Sequence, residues 1–236
     1  MAISRVTAQD CTASTGNNTT LTCSYPNTPT QGDLLISVCL LASGFSSVTT
    51  PSGYSVAFHE DCSNGAITVA LAYKIAGAAE SKNVTWSFSG SNGTINIDQH
   101  EYTGNVNSSP LDKTAVGRDG GSTEQTQATG TTATTTNANE LVFTVMGWSG
   151  SVTSNTWTNA THSFTNNLLF TGERIVSSTG AYTDTANWTN NRLAFGGIAT
   201  FIAFVAATPS SSGGAPGEIG NVTVAPNTTV LVGTSW

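Results

Sequence analysis

The chain has 236 residues, a formal net charge of −7 and only 9% charged side chains, against roughly 25% in an ordinary globular domain. Its basic residues, Arg5, Lys74, Lys82, Lys113, Arg118, Arg174 and Arg192, are scattered, which argues against phosphate-backbone recognition and so against nucleic acid as a partner. With 38% hydrophobic residues and five Trp a core is available, and the neutral polar remainder is not the composition of a disordered chain.

The first residues, Met1–Cys11, hold no basic region followed by an apolar stretch, so no secretory signal is expected here. Four cysteines follow: Cys11, Cys23, Cys39 and Cys62. Three pairings exist. The local one, Cys11–Cys23 with Cys39–Cys62, is preferred because Gly16-Asn17-Asn18 can turn the chain between the first two. Four reduced thiols are the alternative. The spacings match no zinc or redox motif.

Apolar segments are short, rich in Val, Ile, Thr and aromatics, and bounded by Gly, Asn, Ser or Pro, which predicts strands. In chain order these are 3–7, 19–24, 34–42, 54–58, 67–75, 84–89, 94–102, 141–147, 168–176, 186–189, 198–206, 222–225 and 229–232. Val84, Trp86 and Phe88 alternate with Thr85 and Ser87. Ile95 and Ile97 alternate with Asn96, Asp98 and His100. Asn92-Gly93 between these runs predicts an antiparallel hairpin whose turn needs positive φ. Residues 76–81 allow one helical turn, and no 3.6-residue period is sustained. The expected fold is all-β, an antiparallel sandwich of jelly-roll type.

Residues 112–139 are poor in apolar side chains and predict a long loop, with a weak edge strand near 125–129. The run Leu193–Ala207 is too short for a spanning helix and reads as a buried strand, so no membrane span is expected. The sandwich is placed at 1–207. A Ser/Gly/Pro linker follows at 208–217, and then a C-terminal tail at 218–236. Nineteen residues build no core alone. The tail's Ile219, Val222, Val224, Val230, Leu231, Val232 and Trp236 are therefore interface candidates for anchoring or oligomerisation.

Chemistry is sparse. His59 and Asp61 form one pair, and Asp98 and His100 another. Were their strands neighbours, two His and two Asp could bind a metal; the plainer reading is a solvated polar face. Ser149 in Gly147-Trp148-Ser149-Gly150-Ser151 lacks the second Gly of a nucleophile elbow. No catalytic residue and no cofactor is nominated. Trp148, Trp157 and Trp188 lie in or near Asn/Thr-rich segments, where exposed rings would suit stacking on a surface glycan.

A series of short motifs runs through the chain: Gly32-Asp33-Leu34-Leu35, Thr50-Pro51-Ser52-Gly53-Tyr54, Ala72-Tyr73-Lys74-Ile75-Ala76, Glu101-Tyr102-Thr103-Gly104, Pro110-Leu111-Asp112 and Ala138-Asn139-Glu140-Leu141-Val142. In this order they resemble a β-sandwich domain of tailed-phage virion proteins and bacterial surface proteins. The resemblance implies a structural role: a capsid decoration (cement) protein on the virion surface, bound to the major capsid or another virion protein. By analogy with such proteins a homo-oligomer, preferably a trimer, is expected. The alternative is a carbohydrate- or host-receptor-binding module of a tail fibre or adhesin.

Overall fold

The computed structural model describes residues 3–203, except 17, 43–46, 62–64, 90–92, 105–108 and 119–120. The linker and the tail, with all its interface candidates, lie outside the described residues. Those that remain fall in one compact unit, Met1–Val205. It is all-β and antiparallel, with a single 3-10 turn at Thr7–Gln9 among the described residues. Among the described residues no helix is long and apolar enough to cross a membrane.

Four sheets form. In the first, β1 (Ser4–Arg5) and β2 (Cys11–Gly16) pair along β9 (Thr94–Thr103), followed by β4 (Leu34–Ala42), β7 (Ile67–Ile75) and β6 (Ser55–Asp61). The second orders β3 (Thr20–Ser24), β8 (Asn83–Ser89) and β5 (Ser47–Thr49). The third runs β10 (Leu111–Arg118), β17 (Ala194–Ile202), β12 (Glu140–Trp148), β15 (Leu169–Val176) and β14 (His162–Asn166). The fourth is β11 (Glu124–Ala128), β16 (Thr185–Arg192) and β13 (Asn155–Trp157).

The third and fourth sheets repeat the first and second. If β2–β9 are matched in order with β10–β17, the order β2-β9-β4-β7-β6 becomes β10-β17-β12-β15-β14, and β3-β8-β5 becomes β11-β16-β13. Register agrees as well. Leu34 lies opposite Tyr102 and Ile75, and Leu141 lies opposite Phe201 and Ile175. The chain is thus two successive eight-stranded, two-sheet sandwiches of jelly-roll type, inside the span expected to hold one.

The two sandwiches pack through their five-stranded sheets. β4 meets β12, β7 meets β17, β9 meets β15, β6 meets β10 and β2 meets β14. Exchanging the two repeats maps this set of contacts onto itself, as a two-fold axis would. Strand alternation explains the layering. Even-numbered Leu34, Ile36, Val38 and Leu40 enter the central core with Leu141, Phe143 and Val145. Odd-numbered Cys39 and Leu41 face the second sheet, packing with Trp86 and Phe88. Met146 and Trp148 face the fourth sheet, packing with Trp188. β4 and β12 are buried along their whole length because each lies between two layers.

Several expectations need correction. β8 and β9 are consecutive but do not form a hairpin: β8 pairs with β3 and β5, β9 with β1, β2 and β4. Both strands carry an apolar face, and these faces meet across a core, Trp86 and Phe88 packing with Ile95 and Ile97. The turn residue keeps its conformational demand, since Gly93 has φ 132°. Gly93→Val is expected to lower stability by ~1 kcal/mol or more, read as a shift in the urea midpoint. The stretch 112–139 is not one long loop, because β10 runs through its start, and the edge strand expected near 125–129 is present as β11.

Cys11 and Cys23 form a disulfide, as preferred. It joins β2 to β3 and so ties the two sheets of the first sandwich together. Cys39 is a free, buried thiol, which removes the pairing with Cys62; Cys62 itself lies outside the described residues. Cys39 sits mid-strand in β4, and burial pushes its thiol well above the usual range. Opening the short Cys11–Cys23 loop by replacing both residues with Ser is expected to cost about 2–3 kcal/mol. Denaturation with and without reductant measures this, and the double variant should show no reductant effect.

Candidate functional site

The central interface is chemically lopsided. On one side of the two-fold it is apolar: Tyr73 contacts Phe201 edge-on at 5.5 Å, and Phe58 lies 6.0 Å from Phe195. On the other side Phe164 matches Phe58, but the remaining equivalent positions carry polar groups. Glu173 stands where the first repeat has Tyr73, and Tyr102 where the second has Phe201. Likewise Asn96, Asp98 and His100 stand opposite the matching Phe195, Gly197 and Ala199.

The residues expected on a solvated face are therefore buried: Asn96 and Asp98 are wholly buried and His100 almost so. The second sandwich covers them. His100 is enclosed by Phe143 and Phe164, ring centroids 5.5 and 5.7 Å away. Its Nδ1 lies 2.8 Å from Asp10 Oδ1 and its Nε2 3.3 Å from Thr171 Oγ1. Both ring nitrogens thus have a hydrogen-bonding neighbour. Burial pushes the Asp98 carboxyl well above the usual range, and Asn166 Nδ2 donates to the Ala13 and Ile97 carbonyls.

Around this lies an ion-pair network drawn from both sandwiches. β1 places Arg5 opposite Tyr102 on β9. Arg5 Nε sits 3.7 Å from Asp10 Oδ2 and 3.6 Å from Glu173 Oε1. The Tyr102 hydroxyl donates to Glu173 Oε2. His162 Nδ1 lies 3.6 Å from Glu173 Oε1. With Asp10 at the end of the 3-10 turn, the N-terminal segment clamps β9 to β15. Such groups are costly to strand without partners, so the network fixes how the sandwiches dock. Beside it opens a cavity of about 320 Å³, bordered by Ile3, Arg5, Tyr102, His162, Glu173 and Ile175 among others.

The two-His, two-Asp metal candidate does not assemble. His59 and Asp61 are on edge strand β6, Asp98 and His100 on β9, and β7 and β4 lie between. At ~4.8 Å per strand that separates the pairs by roughly 14 Å. Asp61 accepts a hydrogen bond from Thr68 at 2.5 Å and His59 is exposed. Among the described residues no group of three His, Cys, Asp or Glu is placed to hold a metal.

The three tryptophans do not make a sugar platform. Trp148 and Trp188 are buried and Trp157 is half-buried. They form the core between the third and fourth sheets, with Trp148 and Trp157 stacked against Phe170 at 5.8 and 5.0 Å. Their Asn/Thr-rich neighbours are strand residues whose alternate side chains face out. Sequence reasoning did not single out Arg5, Asp10, Tyr102, Glu173 or His162 as one cluster. The available signal was the isolated charge of Arg5 and Glu173 within strand-like runs. No family model, curated protein or solved structure matches the chain.

Proposed function

We propose that this protein is a virion structural protein, a capsid decoration protein displayed on a phage particle. The observation that carries the reading is the fused pair of jelly rolls, locked face to face by an apolar core and a partly buried ion-pair network. Jelly rolls serve as building units of viral shells and of lectins, which supports the reading. Four stacked layers and a disulfide make a rigid block suited to a particle exterior, and the neutral Thr/Ser/Asn surface suits prolonged exposure to solvent. The network's charged groups are engaged in holding the two halves together, and we assign them no reaction.

In this reading the tail, residues 218–236, binds the major capsid protein or a sister subunit, and the copies assemble as a homo-oligomer, a trimer by analogy. The test is sedimentation of the purified full-length chain with tailed-phage particles, alongside a chain lacking residues 209–236. Saturable co-sedimentation that is lost on truncation is expected. A full-length chain that stays in the supernatant at every particle concentration sinks the proposal. Equal binding by the truncated chain removes the tail from it.

A further inference from the structure

The cavity at the seam of the two sandwiches has the composition of a ligand site. Its volume, about 320 Å³, is at the small end of the range for small-molecule pockets. Its floor carries Arg5, whose side chain is only 15% exposed. The Nε end is fixed between Asp10 and Glu173. Arg5 Nε is buried without a hydrogen-bond partner among the described residues, and the residue lines the cavity. His162, 64% exposed, stands at the mouth, with the hydroxyl-bearing Ser4, Thr7 and Thr161 around the rim. Ile175, 49% exposed, forms an apolar wall; it is one of two large hydrophobic residues so exposed among those described.

Charge selects the ligand class. Glu173 lines the cavity and Asp10 stands 3.7 Å from Arg5 Nε, while Arg174, which also lines it, donates to the Thr183 carbonyl and lies over the Tyr182 ring, so an incoming anion meets carboxylate charge beside the one cation that Arg5 offers. A neutral polyhydroxyl molecule avoids that repulsion. It still gains directional bonds from the guanidinium fork, from His162 and from the rim hydroxyls, while its C–H face covers Ile175. We propose that the seam cavity binds a neutral saccharide unit through Arg5, His162 and Ile175. This is independent of particle attachment and does not use the tryptophans.

The experiment uses the full chain. A glycan array is followed by titration with neutral methyl glycosides and with the matching uronic acids. Two variants keep the fold testable. Arg5→Lys retains a cation between Asp10 and Glu173 but removes the fork. Ile175→Trp fills the cavity from an exposed position. Saturable binding of a neutral saccharide is expected, weakened about tenfold or more in each variant, while each variant keeps a single cooperative unfolding transition. No saccharide binding, a preference for the uronic acids, or binding undiminished in both variants overturns the proposal.

Discussion

Gly197→Val is expected to destabilise the protein by about 3 kcal/mol, a fall in melting temperature of roughly 6–12 °C for a domain of this size. Gly197 lies in β17, between Val116 and Val145 on the neighbouring strands. Its α-carbon faces the first sandwich, and a β-carbon built there would come within 2.4 Å of Phe58 Cζ and 2.8 Å of Phe58 Cε2. Phe58 is buried in the central core and packs beside Phe195, so its ring has no open space to retreat into. The sandwiches would have to separate or β17 would have to shift. Gly147 occupies a similar close approach, 2.4 Å from Leu40 Cδ1. Thermal melts of Gly197→Val, Phe58→Ala and the double variant decide the mechanism. Removing the ring makes room for the valine, so the double variant should lose less stability than the two single losses together. Strict additivity would show that the defect lies in the strand and not in the docking of the two halves.

That contact was out of reach of the sequence for a physical reason. Leu34–Ala42 and Ile67–Ile75 were legible to the residue because a strand between two layers is apolar on both faces, and polar neighbours bound it sharply. Strands with one wet face were harder. β10 is an edge strand half-buried at most positions and fully buried at none, so its Lys, Thr and Gly content reads as loop, while β11, with Gln127 alone buried, was legible only as a weak edge strand. The duplication left a readable trace. Asp33-Leu34-Leu35-Ile36-Ser37-Val38 parallels Glu140-Leu141-Val142-Phe143-Thr144-Val145, and Thr85-Trp86-Ser87 parallels Asn187-Trp188-Thr189. The connecting loops differ in length, so no fixed period exposes it. The buried face of Asp98 and His100 left no such trace. Alternation shows that residues share a face, but only the arrival of β14 and β15 from the second repeat decides that this face is dry. The matching face of β17 is Phe, Gly, Ala and Phe, and each is legible as core. The two repeats thus differ in polarity where they meet, and the polar half of that interface is where the candidate site lies.

The duplication also carries an acid–base device in both copies, and it sets the pH dependence of stability. Asp33 and Glu140 occupy the same place, at the entrance to β4 and β12, and both are nearly or wholly buried. Burial, a hydrogen bond to Glu101 and the charge of Glu101 push Asp33 up to about 6. Burial, with Asp112 as hydrogen-bond partner and like charge, pushes Glu140 up to about 7. In each case a second carboxylate is held in place by other donors. Gln9 Nε2 and the Thr30 amide donate to Glu101, and Lys113 and the Thr136 amide donate to Asp112. The entrance carboxyl therefore takes the proton. A raised folded-state pKa means that the native state binds the proton more tightly than the unfolded chain. The stabilisation is complete below about pH 4 and is lost as pH rises through 6 and 7. Asp112 and Glu80 act in the opposite sense. The Lys113 and Thr136 donors outweigh burial at Asp112, and the Lys74 and backbone donors do so at Glu80, lowering both; their support fails only as pH falls below the usual carboxylate range. The urea midpoint is accordingly expected to rise as pH falls from 8 to 5, with each entrance carboxyl contributing about 1–3 kcal/mol. Asp33→Asn and Glu140→Gln should each flatten that slope and raise stability most at pH 8, where the wild type carries buried charge. A midpoint that falls steadily between pH 8 and 5 in the wild type, or a slope unchanged in the double variant, would show that these two carboxyls are ionised at little cost in the folded protein.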